Sequence, residues 1–374
     1  MTSQITGLAP LDFSASGVDQ IWGFLPSPAP VTALPPEFGE WDEFAAELPK
    51  ALRVGSARRL LAQLPPLDPV MLTGTAQPAQ ILPANIALPW CRAAEQLGRP
   101  PILSYATHVL QNWRCIDPLV DPEPENLHRI QDFLGGMDDD WFVLIHVAIE
   151  VKAAPGLLAM TRAQEAAGLG DLDTAAAELL RVSESLVAMT AVLSRMPERC
   201  DPYIYYNRVR MFMFGWLNNP DFPDGLHYEG VPRYSGPQRL HGETGAQSSI
   251  IPFLGNALGV DHEADPLNDF MLALRAYLPP EHKAFIDDVG GRVDLRGIVR
   301  TSGDNASLEA YNSCIEQMRD FHELHLRYAA QYVHKQGRAC AANGAGTGTG
   351  GTPFMKYLKL HLDNISAHRI GAAG

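Results

Sequence analysis

Two histidines three residues apart, His322 and His325, lie on a helical pattern just ahead of the glycine-rich run GAGTGTGGT, Gly344 to Thr352. Leu308, Tyr311, Ile315, Met318, His322, His325, Ala329 and Tyr332 follow one another in alternating steps of three and four. That spacing keeps all of them on one helix face. An imidazole on a buried face needs a partner, and both a metal ion and a core hydrogen bond satisfy the requirement. The tetrad His322-Glu323-Leu324-His325 is not a zinc-protease signature, which needs histidines four apart with the glutamate between them. The glycine run lacks the Lys-Ser/Thr pair and the preceding strand of a phosphate loop. It reads as a surface loop or as a mobile lid whose bare backbone amides approach a ligand.

Two further segments carry polar groups among apolar ones. Trp141 to Glu150 (WFVLIHVAIE) is apolar nearly all round, so a central helix is expected, and His146 in its middle is costly unless hydrogen-bonded. Asp201 to Trp216 (DPYIYYNRVRMFMFGW) packs aromatics and methionines around Arg208 and Arg210. A guanidinium buried in such a stripe calls for a carboxylate, from the protein or from a ligand.

The elements that must position these groups are helices. Helical patterns run over Phe38–Leu52, Ala57–Leu64, Ala84–Leu97, Ile102–Trp113, Leu127–Leu134, Trp141–Ala153, Gly156–Ala167, Asp171–Met196 and Tyr203–Trp216. They continue over Gln247–Leu258, Pro266–Tyr277, Glu281–Val289, Leu308–Lys335 and, from a Thr-Pro start, Phe354–Ile365. Alternating β-branched runs are nearly absent, which predicts an all-α protein. Residues 1 to 36 read as an extended arm. The segment DPLVDPEPEN, Asp117 to Asn126, with three prolines and four acids, reads as a linker. The expected division is an arm and small helical domain over 1–117, a linker over 118–126 and a large helical domain over 127–374.

Composition narrows the function. The chain has 374 residues, 46% of them hydrophobic, enough for a sizeable core. Its formal charge of −14, from 29 basic and 43 acidic residues, argues against nucleic acid or an anionic membrane as partner. Five scattered cysteines without a C-x-x-C pair suggest reduced thiols in a cytoplasmic protein. The N-terminus lacks the pattern of a signal peptide. The most apolar run, Trp141 to Val151, is too short to span a bilayer.

Eight stretches, in order, resemble the indoleamine 2,3-dioxygenases, haem enzymes that open the indole ring of tryptophan. They are PPILSYATHVLQNW from Pro100, WFVLIHVAIE from Trp141, DPYIYYNRVRMFMFGW from Asp201 and GLHYEGV from Gly225. GAQSS from Gly245, RAYLPPEHKAFI from Arg275, YNSCIEQMRDFHELHLRYAAQYV from Tyr311 and GTGGT from Gly348 complete the set. The resemblance covers about residues 35 to 365. It implies a small N-terminal helical domain, a large all-α domain holding haem b, and oxidation of L-tryptophan or a related indoleamine by O2 to N-formylkynurenine. It puts His325 at the proximal iron ligand and His322 one turn earlier. Tyr105, Phe142, Val143, Tyr205 and Met213 fall on positions that enclose the indole ring. Arg210 falls on the arginine that holds the substrate carboxylate, and Thr349 on the loop that closes over the amino-acid end. Three positions depart from the mammalian pattern. His146 stands for serine, Tyr205 for phenylalanine, and Glu243 adds a carboxylate that suits the substrate ammonium. A distal histidine is similar to that of the tryptophan 2,3-dioxygenases, where one contacts the indole N–H. These departures leave open a monooxygenase or peroxygenase acting on a modified indole, or a haem protein that only binds oxygen.

Overall fold

The computed structural model describes residues 13, 16–26, 30, 39–53, 79–260, 266–339, 349 and 354–371. The helix expected over 57–64 and most of the arm lie outside them.

The core is organised on one long helix. Met137–Leu169 runs for 33 residues, joining the two helices expected over 141–153 and 156–167. It opens on three aspartates, Asp138 to Asp140, which favour the positive end of the helix dipole, and it stops at Gly170 in the left-handed conformation. Twenty of its side chains are buried, which fits an apolar pattern on every side. This helix is long and apolar enough to cross a membrane by composition, yet 67% of its most apolar window is buried inside the protein.

Pro155 sits inside this helix without ending it. A proline removes one backbone donor and leaves carbonyls in the turn before it short of a partner. The next helix, Leu172–Ser194, packs against this turn, where Ser185 Oγ donates to Lys152 O at 2.6 Å. Gly156 makes that approach possible, since a Cβ there would lie 2.6 Å from Ser185 Oγ and 2.7 Å from its Cβ. Asp171 caps the second helix by accepting from Thr174 N.

The helix Asn305–Tyr328, capped by Asp304, packs along Leu172–Ser194, and Ser183 and Ser313 are hydrogen-bonded between the two at 2.7 Å. Gln164, fully buried on the long helix, donates to Ala257 O and Val289 O, so it ties that helix to Ile250–Leu258 and Pro280–Arg292. Leu295–Ser302 is a helix that the sequence pattern did not predict. Ala84–Gln96, Pro266–Leu274 and Phe354–Ala367 stand close to their expected bounds.

Three expected helices take other forms. Within 102–113 only Ala106–Leu110 is helical, as one wide π-turn, and Trp113–Cys115 is a strand (β1). The helix expected over 127–134 is instead the strand Leu127–Arg129 (β2), antiparallel to β1 with Trp113 opposite Arg129. Arg129 is buried and meets Asp139 at 2.6 Å, which ties the strand to the first turn of the long helix. The segment expected as a linker is the closed loop between β1 and β2. Asn126 Nδ2 holds it by donating to the carbonyls of Asp117 and Val120. Tyr203–Trp216 divides into a short α-turn at Pro202–Ile204, a π-turn at Tyr205–Val209 and a tight 3-10 turn at Arg210–Met213. A third π-turn, Ala329–His334, continues the helix that carries the histidine pair.

Gly156→Ala is expected to destabilise the protein by about 1–3 kcal/mol through overpacking against Ser185. Alanine's better helix propensity, about 1 kcal/mol, opposes but does not reverse the loss. A thermal melt that rises with this substitution would contradict the close approach.

Candidate active site

Phe142, His146 and Glu150 recur every four residues on the long helix and therefore share one face. His146 Nδ1 lies 2.7 Å from the carbonyl oxygen of Phe142. A carbonyl only accepts, so Nδ1 carries the proton, and in the neutral ring Nε2 is an acceptor. Burial, chiefly, pushes the His146 pKa below its usual value, which keeps the ring neutral.

Glu150 has no exposed surface. Its Oε1 accepts from Tyr105 OH and from Ser248 Oγ, both at 2.9 Å. Burial raises the carboxyl to about 7 against the pull of these two donors. The Tyr105 backbone N–H donates to Gln247 Oε1 at 2.9 Å, and Gln247 Nε2 donates to Gly242 O at 3.0 Å. The GAQSS stretch thus holds Tyr105 against the long helix.

Aromatic rings continue the wall. Phe142 lies 4.5 Å from the His146 ring and 4.8 Å from Tyr205, centroid to centroid, and Tyr105 meets His146 at 6.1 Å. Tyr205 packs edge-on to Tyr332, whose hydroxyl donates to Cys200 O. Arg210 is 1% exposed, with its guanidinium 4.5 Å from the Phe214 ring and 5.1 Å from Tyr206. Burial lowers its pKa, while Tyr205 and Tyr206 pull the other way. Arg208, its neighbour in the sequence pattern, is exposed. The two arginines end on opposite sides of the segment, as residues two apart do in a helical winding.

A glycine crossing closes one side. A Cβ on Gly242 would lie 2.3 Å from Met213 O and 2.6 Å from Thr349 O, so only glycine admits this contact. Met213 O accepts from Glu243 N at 2.9 Å, and Thr349 Oγ1 donates to Glu243 O at 2.6 Å. Thr349 is the one residue of the glycine-rich run among those described.

His325 stands on the helix Asn305–Tyr328. Its surface is accessible, yet burial is the leading cause that drives its pKa down to about 4, with the charges of His322 and His146 adding to the effect. Among the described residues its ring has no hydrogen-bond partner. His322 differs, because its Nδ1 donates to Met318 O at 2.8 Å. His146 is near enough to His325 to add to the lowering of its pKa. Among the described residues no group of three or more His, Cys, Asp or Glu is arranged to hold a bare ion.

The structure therefore brings Tyr105, Phe142, His146 and Tyr205 together, joins Met213 to Thr349 through Glu243, and buries Arg210 beside Tyr205. Val143 is fully buried in the same apolar core as Tyr105, Tyr205 and Met213, against which Phe142 packs. Sequence reasoning missed Glu150 and His108 as site residues. Glu150 was within reach, one turn beyond His146 on the same face. His108 was not, since a 3.6-residue period misplaces side chains across a π-turn.

Comparison with known proteins agrees with this geometry. The pattern of the family described as indoleamine 2,3-dioxygenase matches residues 70–367. The chain is 31% identical to indoleamine 2,3-dioxygenase 2 of Mus musculus, over 94% of this chain and 93% of that protein. It is 31% identical to indoleamine 2,3-dioxygenase 2 of Homo sapiens, over 95% and 94%. Against indoleamine 2,3-dioxygenase 1 of Rattus norvegicus it is 30% identical, over 92% and 93%. A match over most of the chain, with relatives covered almost end to end, settles its family: this protein belongs to the indoleamine 2,3-dioxygenases.

Proposed function

We propose that this protein is a haem-dependent dioxygenase that adds both atoms of O2 across the indole C2–C3 bond of L-tryptophan, or a related indoleamine, to give N-formylkynurenine. The observation that carries the reading is His325, a neutral imidazole with no hydrogen-bond partner among the described residues, which we infer lines one internal recess with His146. Within this family's fold, that pair gives the recess one free ligand and one polar group.

The residues present suit haem b. A metal-binding histidine must be neutral, and His325 is neutral at any pH well above its value of about 4. Aromatic rings and a long apolar helix supply the rest of the wall. When bound, the haem iron supplies the activation of O2, while the protein orients the substrate.

The chain's own residues do the orienting. Arg210, held flat between two aromatic rings, pairs with the substrate carboxylate through its planar fork. Tyr105, Phe142, Tyr205 and Met213 exclude water and enclose the indole ring, with Val143 filling the space behind Phe142. Nε2 of His146 accepts the indole N–H, because Nδ1 already donates to the backbone. The Thr349 hydroxyl spends its proton on Glu243 O, so its remaining lone pairs suit an ammonium donor better than a carboxylate. Fixing both ends of the amino acid holds C2 and C3 at one place in the recess. We further propose a cytoplasmic location, and a division into 1–117, 118–126 and 127–374 in which the middle segment is a closed loop.

The test is conversion of L-tryptophan to N-formylkynurenine by the reduced, haem-loaded protein. His325→Ala should abolish haem binding, read from the Soret absorbance, with the helical circular dichroism retained. Retention of wild-type haem content would sink the ligand assignment. Arg210→Ala should lower kcat/KM for tryptophan by about 50-fold, the equivalent of 2–3 kcal/mol for a charged anchor. Equal kinetics in mutant and wild type would remove Arg210 from the site. His146→Ala should slow tryptophan by about 3- to 10-fold, the worth of a neutral hydrogen bond. It should leave 1-methyltryptophan, which has no indole N–H, much less affected. A parallel loss for both substrates would contradict the acceptor role.

A further inference from the structure

His108 and Glu243 bring unmet hydrogen-bonding capacity into the wall of the site. Each is 2% exposed, and His108 Nδ1 lies 3.7 Å from Glu243 Oε1, too far for a hydrogen bond. Neither ring nitrogen of His108 has a partner. Among the described residues the Glu243 carboxylate accepts no hydrogen bond either. The two are within ion-pair reach only if the imidazole is protonated. Buried polar groups are ordinarily hydrogen-bonded, so two unsatisfied nitrogens on His108 beside a buried carboxylate call for a reason.

Their position supplies it. The His108 ring is stacked on Phe142, 6.3 Å between centroids and 29° between planes, and lies 4.8 Å from Phe133. The charge of Glu243 acts on Tyr105, His146 and Tyr205. The pair therefore sits among the residues assigned to the indole ring, while Arg210 is assigned to the carboxylate. The backbone of Glu243 is spent on Met213 and Thr349, so its carboxylate is held in place at the glycine crossing.

We propose that His108 and Glu243 together bind a phenolic hydroxyl on the benzene ring of the substrate, so that this chain prefers a ring-hydroxylated tryptophan to tryptophan itself. The proposal rests on the indole dioxygenase reading above. An imidazole N–H donates, and a carboxylate oxygen accepts. A hydroxyl donates to Glu243 and accepts from His108, which meets both needs at once. An ammonium only donates and leaves the imidazole N–H unmet. An unsubstituted ring meets neither group, and a second carboxylate is repelled by Glu243. A site built to bond a hydroxyl discriminates against the analogue that lacks it, because its own polar groups are then left unpaired.

The experiment compares kcat/KM for L-tryptophan and its 4-, 5-, 6- and 7-hydroxy derivatives in haem-loaded wild type, Glu243→Leu and His108→Leu. Calorimetric binding of the same five compounds to the ferric protein without O2 provides a readout independent of turnover. Each ratio to tryptophan is internal, so a smaller folded fraction cancels. The electronic effect of a hydroxyl on the indole persists in the variants and is thereby separated from recognition. The expected result is one isomer preferred by about tenfold to a hundredfold in wild type, with that preference reduced to within a few-fold in both variants. No preferred isomer, or a preference that survives both substitutions, would overturn the proposal. So would variants that lose only the discrimination between tryptophan and indole-3-propionate, since Glu243 would then read the ammonium. If none of the five compounds is oxidised, the dioxygenase reading fails, and the calorimetric order still decides the role of the pair.

Discussion

An apolar helix that carries polar side chains into the core must find partners for them, and much of this structure is arranged around that requirement. His146 and Glu150 lie on the buried 137–169 helix. His146 solves its problem locally, through the carbonyl one turn back, and the solution leaves one nitrogen facing the recess as an acceptor. Glu150 needs help from distant segments. Tyr105 comes from the strand-flanked turn near the start of the described core, and Ser248 from the loop before the 250–258 helix. The hydrogen bonds that stabilise the helix core thus also position the wall of the site.

Close backbone approach is the second constraint. Gly156 lets Ser185 reach the carbonyl of Lys152, so two long helices pack nearly in contact. Gly215 and Gly242 let the 213–217 and 240–243 segments cross with Thr349 against them. In both places a side chain would push apart elements that the recess requires to be near.

Regular periodicity was the part of this architecture most open to reading in the sequence. The histidine-bearing helix and the 172–194 helix follow a 3.6-residue pattern, and the long helix shows as an apolar run, though Pro155 suggested a break that the structure does not have. His325, Arg210 and His146 came to attention as polar groups within such patterns, and family resemblance supplied their expected roles. The failures fall where the backbone departs from that period. Ala106–Leu110 and Tyr205–Val209 are π-turns, whose wider winding rotates the side chains that follow, so the place of His108 was hidden. Leu127–Arg129 became a strand because its ladder to Trp113–Cys115 and the buried Arg129–Asp139 pair outweigh a weak local preference for helix. The contacts of Thr349 and the enclosure of His325 are tertiary facts, outside the reach of any local pattern.

The central claim is that the recess between His325 and His146 supports insertion of both oxygen atoms into an indole. Incubating the reduced, haem-loaded protein with L-tryptophan under 18O2 and weighing the product by mass spectrometry tests it most directly. N-formylkynurenine carrying two labelled atoms is the predicted result. A product with a single labelled atom would contradict it and indicate monooxygenation of the same ring.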